Sequence, residues 1–393
     1  MPPKSSSVPV VRLKKALERS LRAGHPWVYR DALAPFELAV GDEVRVVDKQ
    51  GAFVARGLVD EGPIAVRVWS TEDEPLNDAL VSRRIGLALA HRARILPPET
   101  DAYRLLHGEG DRVPGFVCDR YGSFAVLRLD GAAALVHRAR FERALRGPLA
   151  RLGVESLLVR AGRKDDARVS IAWGKPPELE LYVREHGMFL CANLLEGQKT
   201  GLFLDHRESR ARVRELVRGA RVLNLYGYTG GFSVAAGLGG AREVTTVDIA
   251  APALAYAEKS WAANALDQDA HRTHAQDAIE FLRKAGEQKA RYDFIIADPP
   301  NFAPRQSARE AALRAYQALH ASVLRVLEPG GYYLAASCTS HVTQTDFDDT
   351  LRQAASRARR SLQVLERTGA PADHPRLLAF PEGDYLKVSL LRA

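Results

Sequence analysis

Two short segments carry the residue types that could make and break bonds. Phe294-Ile295-Ile296-Ala297-Asp298-Pro299-Pro300-Asn301-Phe302 ends an apolar run in a carboxylate, two prolines and an aromatic. Ala336-Ser337-Cys338-Thr339-Ser340-His341 ends another in a thiol. A cysteine attacks as its thiolate, and a free thiol with a pKa of roughly 8.5 gains from activation. Addition of a thiolate to carbon-6 of a cytosine makes the unreactive carbon-5 enamine-like and able to take a methyl group. Asp298 suits a hydrogen bond or proton to the ring as charge develops there. The prolines stiffen their loop and leave carbonyls without internal partners, so Pro299, Pro300, Asn301 and Phe302 are candidates to line a flat base. Cys338 is the candidate nucleophile and Asp298 the candidate acid. Packing of a strand-end cysteine and a plain strand-ending turn are the competing bland readings. His341 is near in sequence, but nothing orients it, and Cys118 and Cys191 read as ordinary small apolar residues.

A third segment points to a nucleoside. Val222-Leu223-Asn224-Leu225-Tyr226-Gly227-Tyr228-Thr229-Gly230-Gly231-Phe232 is an apolar strand that breaks into a Gly-rich turn and then a helix. Glycines there allow a sharp turn and close backbone approach to a ligand. Their G-x-x-G-G spacing is a poor match to the G-x-G-x-x-G of a dinucleotide site. Asn224, Tyr226, Gly227, Thr229 and Gly230 are the candidate cofactor residues of this turn. Asp248 ends the following strand, where a carboxylate can accept ribose hydroxyls, and Asp277 follows a further strand-like segment, where it could meet an adenine edge. Three such points at successive strand ends fit a nucleoside lacking a pyrophosphate, and S-adenosylmethionine is one. The competing reading is an NAD-binding or non-catalytic Rossmann domain.

These motifs need a scaffold of alternating strands and helices. From about Glu180, strands are expected at Arg221–Leu225, Glu243–Val247, Arg291–Ala297, Gly331–Ala336 and Tyr385–Leu391. Helices are expected at Phe232–Ala236, Ala251–Asn264, Ala278–Gly286, Ala308–Leu327 and Gln344–Arg359. Such alternation indicates parallel β-α-β units in a doubly wound α/β sheet. Upstream, Glu43–Val47, Ala52–Leu58 and Ile64–Trp69 alternate with period 2 between glycines, the signature of a small β-barrel. Arg12, Lys14, Lys15, Arg19 and Arg22 precede Trp27 and Tyr29. Cations with flat rings suit RNA, while the competing reading makes both aromatics core plugs. A helix over Ala79–Ile95, stopped by Pro97-Pro98, leads into a small α+β block: strands at Gly115–Val117, Ser123–Leu129 and Ser156–Val159, and a helix over Ala134–Leu152. A chain of 393 residues is long for one core. The expected organisation is 1–75 as a small RNA-binding β-barrel or sandwich, 76–180 as an α+β connector and 181–393 as a Rossmann-like cofactor domain.

The net charge of +8 suits a polyanionic partner. Three scattered cysteines without a CxxC pair argue against disulfides and a structural zinc site, so no metal is expected. No apolar run reaches the length of about 20 residues that spans a bilayer, and the N-terminus lacks the order of a signal peptide. A soluble, cytoplasmic protein without a membrane partner is expected.

With these residues in place, the chain resembles the bacterial large-subunit (23S) ribosomal RNA cytosine-5 methyltransferases. That family carries an N-terminal PUA domain, a small middle domain and a C-terminal class I methyltransferase domain. The resemblance covers nearly the whole chain: Gly24-His25-Pro26-Trp27-Val28, Gly51-Ala52-Phe53-Val54-Ala55-Arg56-Gly57, Tyr103-Arg104-Leu105 through Gly110-Asp111 to Pro114-Gly115, Ala372-Asp373-His374-Pro375 and Phe380–Lys387. The most specific match is Gly197-Gln198-Lys199-Thr200-Gly201-Leu202-Phe203-Leu204-Asp205-His206-Arg207. The resemblance implies S-adenosylmethionine as cofactor, with Lys199, Thr200 and Arg207 on its side of the site. It implies ribose and adenine contacts for Asp248 and Asp277, a place facing the donor methyl for Asp298, and Cys338 as nucleophile. Large-subunit rRNA is the implied partner, and a homodimer is a candidate assembly because family members often pair. One departure matters. Cytosine-5 members often carry Lys after Asp-Pro-Pro, where this chain has Asn301, and Asp-Pro-Pro-Asn is similar to the motif of nitrogen methyltransferases. Nitrogen methylation of a guanine, and an inactive RNA-binding assembly factor, therefore stand beside the cytosine-5 reading.

Overall fold

The computed structural model describes residues 8–162 and 168–393, which fall into two compact units. The first takes the chain up to Pro97, Asp101–Pro177 and Ala372–Gly383. The second takes Pro98–Thr100, Glu178–Pro371 and Asp384–Ala393.

In the first unit, β1 (Val10–Arg12), α1 (Glu18–Arg22), β2 (Trp27–Tyr29), β3 (Glu43–Val47), β4 (Phe53–Val59) and β5 (Ile64–Ser70) come first. The five strands form a sheet in the order β1-β3-β4-β5-β2, with β1 parallel to β3 and the other pairs antiparallel. Val44, Val46, Val54, Val66 and Val68 close with Leu13, Leu21 and Val28 into one apolar core, as the period-2 pattern requires. The three expected strands here are β3 to β5, within one residue at each end. Trp27 is half-buried and lies outside the apolar core of this sheet. Its ring lies 4.5 Å from Phe380, and Nε1 donates to Glu109 Oε1 at 3.0 Å. Tyr29 is 37% exposed, and Arg12, Lys14, Lys15, Arg19 and Arg22 are all exposed.

The same unit continues with α2 (Asp78–Ile95), β6 (Ala102–His107), β7 (Phe116–Tyr121), β8 (Phe124–Leu129), α3 (Ala132–Val136), α4 (Arg138–Arg151), β9 (Ser156–Ala161) and β10 (Arg168–Trp173). Asn77 starts α2 by accepting the Leu80 N–H, and Pro97-Pro98 follows its end. The second sheet runs β10-β9-β8-β7-β6, with β8 and β9 parallel across the α3–α4 crossover. Its outer strands, β6 and β10, were not expected. Several buried charges here are paired with carboxylates, while buried Arg84 donates to the Arg112 and Trp69 carbonyls. Arg67 meets Asp60 at 2.5 Å and Glu109 at 2.6 Å, Arg104 meets Asp119 at 2.7 Å, and Arg92 grips both oxygens of Asp111 at 2.7 Å. Arg92 also donates to the Asp373 carbonyl at 2.6 Å, which fastens Ala372–Gly383 into this unit.

The second unit opens with the hairpin β11 (Leu181–Glu185) and β12 (Met188–Ala192), turned by His186 and Gly187, both with left-handed φ. There follow α5 (Arg207–Leu216), β13 (Arg221–Leu225), α6 (Gly231–Leu238), β14 (Glu243–Asp248), α7 (Ala251–Ala263), β15 (His271–Ala275), α8 (Ala278–Glu287) and β16 (Tyr292–Ala297). The last elements are α9 (Arg309–Val326), β17 (Leu327–Ser337), α10 (Gln344–Ala358), β18 (Gln363–Thr368) and β19 (Lys387–Arg392). The seven-stranded sheet is ordered β15-β14-β13-β16-β17-β19-β18. Side chains alternate between its two covered faces. Leu223, Leu225, Ile295, Ala297 and Tyr333 pack with α8, α9 and α10, while Val222, Phe294, Ile296 and Leu334 pack with Phe232 of α6 and Trp261 of α7. Strands buried on both faces read as the apolar runs seen in the sequence. Parallel β-α-β units account for β13 to β17, as expected, and the last two strands add an antiparallel edge. The strand expected at Tyr385–Leu391 is β19, and it runs antiparallel between β17 and the unexpected β18. Among the described residues, no helix is long and apolar enough to cross a membrane.

Candidate active site

The chain leaves β13 for β14 on one side of the sheet and β16 lies on the other, so the topological switch point falls between β13 and β16. Ligands of open α/β sheets bind there, beyond the carboxyl ends of the strands. The turn after β13 is strained. Tyr226 and Tyr228 hold φ of 58° and 46°, a left-handed conformation that costs a residue with a Cβ roughly 1–2 kcal/mol. Gly227 leaves the space in which a Cβ would lie 2.4 Å from Thr246 Cγ2. At Gly230, with φ 76°, a Cβ would lie 2.6 Å from Ala257 Cβ. A buried chain of polar groups supports the turn. Asn224 donates to Ser233 Oγ at 2.9 Å, Ser233 shares a hydrogen with Thr246 at 2.6 Å, and Thr246 meets His271 Nε2 at 2.7 Å. The side chain of Asn224 is thus engaged in holding the turn, and Thr229 is 8% exposed within it.

The two expected carboxylates stand at the next strand ends. Asp248 accepts the Tyr228 N–H through Oδ2 and the Ala250 N–H through Oδ1, each at 2.8 Å, binding the glycine turn to the end of β14. Asp277 caps α8 through Oδ1, which accepts from Ile279 and Glu280 at 2.9 Å. A carboxylate oxygen has two lone pairs, so both residues can still accept from ligand hydroxyl or amino groups. Asp277 is exposed and Asp248 half-buried.

The segment before α5 joins these parts. Tyr228 accepts the Gln198 N–H at 2.8 Å, and its hydroxyl donates to the Gly201 carbonyl at 3.3 Å. Lys199, with φ 52°, pairs with Asp205 Oδ2 at 2.8 Å, and Nζ lies 4.2 Å from the Phe203 ring centroid. Tyr385 donates to the same Asp205 oxygen at 2.8 Å. Thr200 and Arg207 are buried, each 1% exposed. His206 Nε2 lies 3.1 Å from Asp298 Oδ2, and its buried Nδ1 carries no hydrogen bond.

Two loops then meet. After β16, Pro299 is buried and Pro300 exposed. Asn301 Oδ1 accepts from Ala303 N at 2.9 Å and from Thr339 Oγ1 at 3.2 Å, and Phe302 packs on Tyr316. After β17, Ser337 and Thr339 are fully buried, and their hydroxyls lie 2.8 and 3.0 Å from the Tyr316 hydroxyl. Lys387 donates to the Thr339 carbonyl at 2.6 Å. Between these fixed neighbours, Cys338 is half-buried, its Sγ 4.0 Å from the Pro299 carbonyl. Burial, and then the charge of Asp298, push its thiol up to about 11. Cys118 and Cys191 are fully buried, the latter also held up at about 11 by burial.

The structure therefore brings Cys338, Asp298, Pro299 and Asn301 together, with Lys199 within electrostatic reach of the thiol. The glycine turn, Asp248 and Asp277 stand at the neighbouring strand ends, whereas His341 is exposed. Sequence reading did not single out Asp205, His206, Tyr316, Thr339, Tyr385 or Lys387. The signal for Asp205, His206, Tyr385 and Lys387 lay in Gly197–Arg207 and Phe380–Lys387, segments noted for their wording rather than for these side chains; Thr339 stood within the cysteine segment, and Tyr316 gave no signal within its helix.

Counting β13 as the first strand, the order is 3-2-1-4-5-7-6. With a glycine turn after strand one and a carboxylate after strand two, this defines a class I methyltransferase domain. The comparisons agree. A model described as S-adenosylmethionine-dependent methyltransferase matches residues 145–390, and one described as a PUA-like domain matches 11–71. The chain belongs to this S-adenosylmethionine-dependent methyltransferase family. A "Ribosomal RNA large subunit methyltransferase" of Deinococcus radiodurans is 38% identical, covering 99% of this chain and 98% of that protein. A "Ribosomal RNA large subunit methyltransferase I" of Klebsiella pneumoniae is 36% identical over 97% and 98%. A SAM-dependent methyltransferase from Streptococcus mutans shares the fold with a TM-score of 0.87 at 22% identity, covering 98% of this chain and 100% of that one. The cofactor is S-adenosylmethionine. The donor set fits it: a backbone turn opened by glycines, and carboxylates at two strand ends suited to hydroxyl and amino groups.

Proposed function

We propose that the protein methylates carbon-5 of a cytosine in large-subunit ribosomal RNA through a covalent adduct with Cys338. The observation that carries this reading is the position of the Cys338 sulfur, half-buried at the end of β17 and 4.0 Å from the Pro299 carbonyl of the Asp298-Pro299-Pro300 loop. Both of the relatives described above are named for large-subunit ribosomal RNA. In the proposed reaction the thiolate adds to carbon-6, forming the S–C6 bond and making carbon-5 nucleophilic, while Asp298 protonates or hydrogen-bonds the ring nitrogen. S-adenosylmethionine, when bound, supplies an electrophilic methyl group on a sulfonium. Loss of the carbon-5 proton then expels the Cys338 sulfur from carbon-6. Lys199, Thr200 and Arg207 serve the cofactor side, with Asp248 toward ribose and Asp277 toward adenine. Nitrogen methylation is less well supported, because Asn301 stands where the nitrogen-methyltransferase motif carries an aromatic ring, and its Oδ1 is engaged in joining the two loops.

The division of labour we propose gives RNA binding to 1–75, a connecting role to 76–180 and methyl transfer to 181–393, in the cytoplasm. The exposed cations of the first block would meet phosphates. The test is Cys338→Ala assayed on rRNA with labelled cofactor, with mass spectrometry of the product nucleoside from the wild type. Undiminished transfer by the variant, or a methylated guanine as product, removes the cytosine-5 reading.

A further inference from the structure

Lys387 is the charged group that the proposed reaction leaves unused. It stands on β19 opposite Ser337 of β17, is 5% exposed, and its ammonium meets a neutral carbonyl, that of Thr339, at 2.6 Å. Thr339 is also held through its hydroxyl by Tyr316 and Asn301, and Ser337 by Tyr316. The turn is thus clamped on both sides of Cys338, and Lys387 is the cationic part of the clamp. Charged groups reach this pair from several elements. Asp384 before β19 and Asp346 on α10 act on Lys387 together with Cys338 itself, while Asp298 after β16, and Asp205 and Lys199 before α5, act on Cys338. The carboxylates oppose ionisation of the thiol and Lys199 favours it, so a thiolate here gains from further positive charge nearby.

We propose that Lys387 is a positioning residue for the nucleophile: through the Thr339 carbonyl it holds the cysteine turn, and its ammonium supplies the charge that favours the Cys338 thiolate. The meaning of this for catalysis rests on Cys338 being the nucleophile, but the test reads the thiol rather than methyl transfer. Burial holds Lys387 down at about 8, while the thiol is held up at about 11. Below pH 8 the lysine is charged when a thiolate forms, the thiol proton passing to solvent. As pH rises through that value the cation is lost. The logarithm of thiolate reactivity in the wild type therefore climbs with pH, levels off near pH 8, and climbs again.

The experiment follows iodoacetamide alkylation of the Cys338 peptide in the full-length protein by mass spectrometry between pH 6.5 and 10. Lys387→Met is expected to slow alkylation at pH 7.5 by about tenfold, one pKa unit of thiol, and to give a straight climb displaced to higher pH. Lys387→Arg keeps a permanent charge and is expected to stay within about threefold of the wild type at pH 7.5 while losing the levelling near pH 8. An unchanged profile in Lys387→Met, or Lys387→Arg as slow as Lys387→Met, overturns the proposal. Should Lys387→Met fail to fold, Lys387→Arg decides alone, and a profile superimposable on the wild type overturns it. Failure here leaves the Cys338→Ala result standing, and an active Cys338→Ala leaves the thiol chemistry standing.

Discussion

In the first unit, Arg67, Arg92 and Arg104 are at most 12% exposed, and each meets carboxylates that are themselves largely buried. In the second unit, the strand ends hold buried groups of another kind: an imidazole with an unbonded nitrogen, an ammonium on a neutral carbonyl and a thiol kept protonated. Pairing a buried charge with its opposite secures one arrangement of the chain, and breaking such a pair is costly because the remaining charge stays buried. Groups kept incompletely matched retain the capacity to act on something else. Burial alone therefore separates nothing; the completeness of pairing distinguishes architecture from chemistry.

That contrast can be broken by exchanging its consequences. Cys338→Ala is expected to lower methyl transfer by at least about a thousandfold, roughly 4 kcal/mol of barrier, with an unchanged urea midpoint. A shifted midpoint would make the cysteine architectural. Asp111→Ala leaves Arg92 buried without its carboxylate and is expected to cost on the order of 3 kcal/mol in urea unfolding; a loss below about 1 kcal/mol would show that the first unit's pairs do not hold it together. Asp298→Asn keeps the shape but removes the acid, and transfer should fall about a hundredfold, measured by single-turnover kinetics. His206→Gln removes the ring nitrogen 3.1 Å from Asp298 Oδ2 and should lower the same rate by about tenfold through loss of the contact that orients the carboxyl; an effect on stability but not on rate would place His206 with the architectural groups. The smallest effect belongs to the exposed cations. Replacing Arg19 and Arg22 by Gln should weaken RNA binding a few-fold and flatten its salt dependence by about two phosphate contacts, measured by titration at several salt concentrations.

The sequence showed the second unit better than the first because its strands are buried on both faces. Val222–Leu225 and Phe294–Ala297 announce themselves as apolar runs ending in glycine or Asp-Pro-Pro. Edge strands give no such signal. β18 reads Gln-Val-Leu-Glu-Arg-Thr and is mostly exposed, and β6 hides behind Arg104, whose charge is cancelled by a partner a whole strand away. Cys338 and Asp298 were legible because each ends its own strand. Lys387 was not, because it reaches the Thr339 carbonyl only when β19 inserts beside β17, a pairing across 50 positions between Ser337 and Lys387 that local patterning does not encode.

The return of Ala372–Gly383 into the first unit has a practical consequence. No single cut can separate the two halves cleanly. A fragment ending at Pro177 would lack the backbone carbonyl that Arg92 grips and the Phe380 ring that packs on Trp27. A fragment starting at Glu178 would carry that stretch as an unanchored loop just upstream of Tyr385 and Lys387. Dissection experiments should therefore join the piece to its own unit by a linker, and protease nicking between Ala372 and Gly383 should loosen both halves together.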